Sequence, residues 1–366
     1  MRYLLGRLFS GLVLVFALTL ITFALFWLIP AEPWRAIYSS PNDHPTQAQK
    51  DAAEHQLGVD RPVIVQYGKF VWGIVRHLDF GHSFYGFRAP VTDSLKRAVP
   101  VTWSIVLGGA ILLFLLAVPL GTLSALRANT WIDRLILTAS IAGVALHPFI
   151  IGIGLRWALG SKLHLLPADT YCPLRGTGYL PCENSENGFC LGFSRPQPCG
   201  GLADWSKHLA LPWLTFAVIF LPLYMRMVRT AVLDVLEQPF VLTARAKGAG
   251  LIRLLRTHVL RNALLQPLTM IGMEIGLALT VSIYIEVIYN FEGTGRLAIR
   301  SLGFGSGIVN SAGGGVEGGG RFDLPMIAGI VFMIALTVVI LNLLVDIAYA
   351  VLDPRIKVGT PATAAA

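Results

Sequence analysis

Six stretches of this chain are each long and apolar enough to cross a lipid bilayer, which constrains the fold more than any other feature. They lie near Leu8–Ile29, Val101–Ala125, Leu135–Leu159, Leu209–Met227, Leu268–Tyr289 and Pro325–Leu352. A bilayer core takes about 20 apolar residues as a helix, because every backbone N–H and C=O must be satisfied within the segment. The expected fold class is all-α and integral to a membrane, with six transmembrane helices. Hydrophobic residues make up 54% of the chain and charged residues 14%, against roughly 45–50% and about 25% in soluble domains. The first run is not read as a cleaved signal, since it is about twice the usual apolar length. No convincing small-residue cleavage site follows it in Trp27–Pro33, so a retained first span is expected.

Charge sets the expected orientation, because basic residues accumulate in cytoplasmic segments. The N-terminus, the turn 127–134, the segment 226–266 and the C-terminal tail together hold thirteen basic and four acidic residues. The opposite side, with Arg156, holds sixteen basic and fourteen acidic. Both termini are therefore expected in the cytoplasm, and the basic balance requires no nucleic-acid partner. The resulting organisation is a first span over 1–30, an extracytoplasmic region over 31–100, a core of five further spans over 101–352 and a cytoplasmic tail over 353–366. Within the core lie a cysteine-containing outer loop (160–208), a basic inside loop (230–267) and a glycine-rich outer loop (290–324).

All four cysteines, Cys172, Cys182, Cys190 and Cys199, fall in that one outer loop. An even set in an oxidising compartment reads as two disulfides with three possible connectivities. A zinc or iron–sulfur site is the rival, but no Cys-x-x-Cys pair is present. The glycine-rich run 311–320 reads as a flexible tether. It is not a phosphate-binding loop, since the Lys-[Ser/Thr] ending is missing.

The basic inside loop carries the most specific words. Thr243-Ala244-Arg245-Ala246-Lys247-Gly248 is followed by His258, then Leu260-Arg261-Asn262-Ala263-Leu264 and Pro267. The first outer region contains Leu57-Gly58-Val59-Asp60-Arg61-Pro62, Val65-Gln66-Tyr67 and Asp79-Phe80-Gly81-His82-Ser83, with a short helix expected over 47–57. Glu286-x-x-Tyr289 and Gly293-x-Gly295-Arg296-Leu297 close the fifth run. Asn342–Asp346, Tyr349-Ala350 and Leu352-Asp353-Pro354-Arg355-Ile356 close the chain. In this order the words resemble ABC-importer permeases of the dipeptide, oligopeptide, nickel and glutathione branch, of the first-permease type. The resemblance covers nearly the whole chain except the cysteine loop and the glycine insertion.

That resemblance implies the type I importer permease fold and a non-catalytic subunit of a peptide importer in a bacterial cytoplasmic membrane. It implies a second homologous permease, two cytoplasmic ABC ATPase subunits, an extracytoplasmic solute-binding protein and peptide cargo as partners. No cofactor or metal would be bound by this chain; ATP and magnesium would sit on the ATPases. Thr243, Ala244, Arg245, Ala246, Lys247, Gly248, His258 and Arg261 become the expected ATPase-coupling residues. The general permease loop has an acidic residue where this chain has Leu242, so a glutamate-dependent contact is not implied there. An amphipathic helix on anionic headgroups would explain the charge, but not the small-residue cluster ending in glycine.

Ionisable groups at membrane depth are costly and therefore functional candidates. Arg156, Glu274 and Glu286 are candidates for the translocation path, against the plainer reading that Arg156 and Glu286 snorkel to the interface. Asp346 is read as bonding a neighbouring helix. Glu274 and Glu286 are about 18 Å apart along a helix and roughly 120° around it, so they do not form one compact site. No H-E-x-x-H pair and no Gly-x-Ser-x-Gly elbow occurs. Nickel or glutathione cargo stays open within the branch. An ion-coupled secondary transporter is a more distant reading, lacking paired midplane charges and repeats.

Overall fold

Helices form wherever the sequence offers a long apolar run, and several continue well beyond it. The computed structural model describes residues 2–28, 46–57, 62–77, 79–83, 90–167, 171–174, 178–179, 185–186, 189–190, 198–302 and 323–352. The glycine insertion, Gly58–Arg61, Cys182 and the Asp353–Ile356 end of the closing signature lie outside these residues. In chain order the helices are α1 (Arg2–Leu28), α2 (Gln47–Leu57), α3 (Val63–His77), α4 (Val91–Leu126), α5 (Trp131–Ala145) and α6 (Pro148–Leu155). A π-helical segment, Arg156–Lys162, extends α6. Then come α7 (Leu202–Leu236), α8 (Pro239–Ala246), α9 (Leu251–Leu254), α10 (Leu260–Ala263), α11 (Leu265–Ile288), α12 (Thr294–Ser301) and α13 (Leu324–Leu352). Two antiparallel pairs of two-residue strands, β1 (Gly178–Tyr179) with β4 (Pro198–Cys199) and β2 (Ser185–Glu186) with β3 (Phe189–Cys190), lie in the cysteine loop.

Among the described residues, α4, α7 and α13 are each long and apolar enough to cross a membrane. Helices α1 and α11 carry shorter apolar stretches, Phe9–Ile21 and Gly276–Ile288. The third run is not the continuous span expected over Leu135–Leu159. It is a pair of helices, bent by 105° between Trp131–Gly143 and Pro148–Lys162. The cause is local: Pro148 has no N–H to donate, and the residue before a proline is driven out of the helical region. Accordingly His147 is extended (φ −64°, ψ 137°), and its Nδ1 accepts from the Phe149 N–H at 3.2 Å to start α6.

The chain divides into two compact units. The first comprises residues 1–100 and 292–339. Tyr67 of α3 meets α1 through Thr19 Oγ1 at 3.1 Å and through the rings of Phe16 and Phe23. A core of Ile74, Phe80, Val91, Leu95, Met326 and Ile330 ties α3 to the starts of α4 and α13. The Ser83 hydroxyl donates to Asp323, which also accepts from the Met326 N–H at 3.4 Å and so caps α13.

The second unit comprises residues 101–291 and 340–366. Helix α7 is its hub, packing against α5, α6 and α11. Helices α4 and α7 approach closely at Gly121, where an added Cβ would come within 2.8 Å of the Met225 carbonyl oxygen. Interhelical hydrogen bonds add to the packing, as expected where lipid gives helices little hydrophobic reason to associate. Trp213 Nε1 donates to the Ser104 carbonyl at 2.8 Å, and the Thr215 and Tyr289 hydroxyls are 2.7 Å apart.

Candidate functional site

The basic inside loop folds as a short helix, a sharp bend and a second helical stretch leading into α11. Pro239 starts α8, where a missing N–H is harmless and φ is already helical. The helix ends in a Schellman motif: Ala249 N–H donates to Ala244 C=O at 3.2 Å and Gly248 N–H to Arg245 C=O at 3.0 Å. That motif needs a residue at positive φ, and Gly248 supplies it at 81°. Gly248 is exposed, with no neighbour within 4 Å of an added Cβ, so the glycine answers a backbone demand rather than a steric one.

One face of the loop is anchored. Val241, Leu254, Val259 and Ala263 are buried in a cluster with Ala125 of α4 and Val228, Ala231 and Val232 of α7. Ala244 packs against the same cluster, so its small side chain serves the inward face. The opposite face is open and partly apolar: Phe240 is 44% exposed, Leu242 54%, Leu251 52% and Ile252 73%. Thr243, Arg245, Ala246, Lys247 and Arg261 are exposed around it, and His258 is half-buried. The Thr243 hydroxyl donates back to the Pro239 carbonyl at 2.9 Å. The loop is packed onto α7 by one face and exposes large apolar residues beside basic ones on the other. Sequence reasoning missed the apolar part. Its signal was Phe240, Leu242, Leu251 and Ile252, four large apolar residues inside a segment too basic to be a span.

Beside this loop a second feature escaped the sequence. Asp133, only 2% exposed, accepts two hydrogen bonds from Arg229 (Nε and Nη2, both 2.7 Å), one from Ser124 Oγ (2.5 Å) and one from the Asn129 N–H (2.9 Å). The Arg229 bonds hold the carboxyl well below the usual carboxylate range; burial opposes them, and the Ser124 and Asn129 donors assist. The same pairing pushes Arg229 up. Asn129 takes a left-handed conformation (φ 64°), which turns the chain tightly enough for its own N–H to reach Asp133. The clamp joins the end of α4 and the start of α5 to α7 among the residues that anchor the basic loop, Arg229 lying between Val228 and Ala231. An acid in an otherwise basic inside turn was the only trace of it in the sequence.

The three ionisable candidates in the spans separate. Glu286 is fully buried and accepts from Thr102 Oγ1 at 2.6 Å, so it does not snorkel. Arg156 donates to the Ile288 carbonyl at 2.5 Å. That bond caps the C-terminal end of α11, where carbonyls lack intrahelical partners. Glu274 lines a cavity of about 260 Å³ walled by α4, α7, α11 and α13, with Phe114, Phe216, Phe220 and Tyr224 around it. Tyr224 interacts with the Glu274 carboxylate. Its Oε2 is buried and has no hydrogen-bond partner among the described residues. The Asp346 side chain lies outside the described residues.

In the cysteine loop, Cys172 is buried and disulfide-bonded, with its sulfur 3.8 Å from His208 Nε2. The side chains of Cys190 and Cys199, like Cys182, lie outside the described residues. No cluster of three metal-ligating side chains occurs among the described residues.

Comparison with known proteins covers nearly the whole chain. Residues 117–358 match the family described as binding-protein-dependent transport system inner membrane component, and residues 1–106 match the N-terminal family of such membrane components. A Brucella suis protein named as a peptide permease is 33% identical, over 98% of this chain and 99% of its own length. The D,D-dipeptide transport system permease protein DdpB of Escherichia coli K12 is 30% identical, over 95% of this chain and 96% of its own. The dipeptide transport system permease protein DppB of the same strain is 28% identical, over 98% and 99%.

Proposed function

We propose, from the premise that this chain belongs to the family of binding-protein-dependent transport system inner membrane components, that it is a permease subunit of an ATP-driven importer of di- and oligopeptides. The chain is a multi-pass inner-membrane protein of the type I importer permease fold, and its family is non-catalytic. Peptide cargo is supported by the names of the relatives, matched end to end. In this reading a second, similar permease completes the pathway, and a solute-binding protein delivers cargo from outside. Two cytoplasmic ATPases hydrolyse ATP with magnesium. Both termini face the cytoplasm, as the charge bias supports. The division into first span, outer region, core and tail set out above belongs to the same reading. So does a second disulfide completing the cysteine loop.

The observation that carries the coupling role is the two-faced inside loop. Val241 and Leu254 lock it onto α7, while Phe240, Leu242, Leu251 and Ile252 remain exposed beside Arg245, Lys247, Arg253 and Arg261. An apolar centre with a charged rim is the composition of a protein-docking patch, and a segment rigidly joined to a transmembrane helix transmits a push as a shear. Arg156, Glu274 and Glu286 stay the candidates for the translocation path, with Glu274 foremost because it alone of the three lines the cavity.

The test is purification of the chain from its native membrane in mild detergent, with co-purifying proteins identified by mass spectrometry. An ABC ATPase is expected with the parent and with Gly248→Ala. It should be lost with Ile252→Asp and with Leu242→Asp while the chain remains abundant. Retention by both aspartate variants overturns the docking assignment. Absence of any ATPase from the parent overturns the importer assembly. Uptake of a labelled dipeptide by cells with and without the chain tests the cargo directly.

A further inference from the structure

Helix α3 belongs to a stretch that the sequence places outside the membrane, yet it packs against the middle of an apolar run. Tyr67 meets α1 at Phe16, Thr19 and Phe23. Phe70 joins it, with its ring centroid 6.0 Å from that of Phe23. These α1 residues lie within the run Leu8–Ile29, and Thr19 is about 15 Å from either end of it at 1.5 Å per residue. A helix that touches such a run at its centre stands at bilayer depth. Farther along α3, Ile74 is buried with Phe80, Val91, Leu95 and Met326. Tyr67, Phe70 and Ile74 are spaced three and four apart, so one face of α3 is committed to packing.

The opposite face is exposed without being polar. Ile64 is 85% exposed, Trp72 61% and Val65 43%, and Gly68, Lys69 and Arg76 are exposed beside them. At 3.6 residues per turn these six share an arc of about 140°, roughly opposite the packed face. A helix face turned to water ordinarily carries charged and polar residues, whereas α3 contains no aspartate or glutamate. Arg76 stands over the Trp72 ring at 5.7 Å. Among the described residues neither Lys69 nor Arg76 is in an ion pair. The acid that follows the helix, Asp79, accepts from the Gly81 N–H at 2.9 Å. Every polar side chain on the exposed face is therefore a donor: an ammonium, a guanidinium and an indole N–H. Its complement must be anionic and rich in acceptors, with apolar matter alongside. Phospholipid offers this combination in phosphate and ester oxygens above acyl chains, the level at which tryptophan and basic residues accumulate. A protein partner of the same chemistry would have to place carboxylates at membrane depth, which is costly.

We propose that α3 is a lipid-facing interfacial helix, lying in the leaflet on the far side of α1 from the N-terminus. Ile64, Val65 and Trp72 enter the boundary between headgroups and acyl chains, and Lys69 and Arg76 rest on lipid phosphates. This is the arrangement of a helix held in the interface plane, here with its other face built into the protein. Part of the region over 31–100 thus belongs to the membrane and fixes the depth of α1 and of the starts of α4 and α13. The inference rests on the inner-membrane fold and is independent of the cargo.

The test places a nitroxide on the exposed face. Gly68→Cys suits it, because an added Cβ there meets nothing within 4 Å. Ala52→Cys, exposed on the polar helix α2, is the water-facing reference. The full chain is purified with the proteins that accompany it and placed in phosphatidylcholine nanodiscs, with the parent labelled in parallel as background. Collisions of the nitroxide with oxygen, which concentrates among acyl chains, are compared with collisions with a water-soluble nickel chelate. The oxygen-to-nickel ratio at Gly68→Cys is expected to exceed that at Ala52→Cys severalfold. A ratio equal to the reference overturns the proposal, since the face then meets water. Protection from both reagents overturns it in favour of a protein partner. A second arm adds phosphatidylglycerol to the nanodiscs and reads the rise in unfolding temperature that this anionic lipid confers. Lys69→Gln combined with Arg76→Gln should narrow that rise relative to the parent. An unchanged rise overturns the phosphate contact. The nitroxide arm leaves the packed face untouched, so it decides the proposal even if the double variant misfolds.

Discussion

Two carboxylates in the same helical unit have opposite fates. Asp133 receives four hydrogen bonds, two of them from a guanidinium. Glu274 leaves one enclosed oxygen, Oε2, without a hydrogen-bond partner among the described residues. The first arrangement fixes the α4–α5 turn against α7, beside the loop read as the ATPase lever. The second leaves a carboxyl group under-bonded. The contrast is one of saturation: a fully satisfied polar network specifies one geometry, and a partly satisfied one carries a cost.

Asp133→Ala is the sharpest way to break this comparison. It leaves Arg229, which is 19% exposed, without its partner, and removal of one member of a buried pair costs about 3 kcal/mol or more. The expected result is a large drop in the unfolding temperature of the detergent-solubilised chain, together with weakened ATPase co-purification. A drop smaller than that of an exposed pair such as Arg300→Ala would mean the clamp is not a stabilising element. Arg229→Lys should fall between, losing about 1–2 kcal/mol, because an ammonium does not reproduce the bidentate fork. Equal stability for Lys and Arg would show that charge alone suffices.

Glu274→Gln sharpens the comparison from the other side. Neutralising an under-bonded carboxylate should leave stability unchanged or raise it by up to about 1 kcal/mol. A loss like that of Asp133→Ala would place Glu274 in a saturated network and remove the contrast.

Acid gives the smallest effect. Asp133 has a depressed folded-state value, caused first by the Arg229 hydrogen bonds. Its contribution is therefore complete above the ordinary carboxylate value of about 3.9 and is lost as pH falls below it toward the folded-state value. The stability gap between the parent and Asp133→Asn should be constant from pH 7 to 5 and narrow as pH falls from about 4 to 3. A gap that widens on acidification would mean the sign, and hence the pairing, is wrong.

Much of this molecule was legible residue by residue. Gly248 announced a bend, and the bend is a helix cap whose left-handed backbone needs glycine. Glu274 announced itself as a carboxylate at membrane depth. Glu286, equally conspicuous in the sequence, proved to be a sealed interhelical acceptor for Thr102. The Asp133–Arg229 pair was not legible, since its members are 96 positions apart and each had been accounted for by the charge of an inside segment.

The sequence by itself determined where the long apolar helices form and, through the order of its motifs, that the chain resembles a permease. Those outcomes follow from local terms: backbone hydrogen bonds that must close within a segment in lipid, and the fixed φ of proline and freedom of glycine. Pro148 belonged to the same local chemistry, yet the direction and size of the bend it permits were decided by the packing of α6 against α7 and α11. Only the tertiary structure decided which face of the inside loop is buried and which carboxylate is saturated. Those outcomes depend on which side chains meet across helices dozens of residues apart, and periodicity along one helix carries no information about the partner it meets.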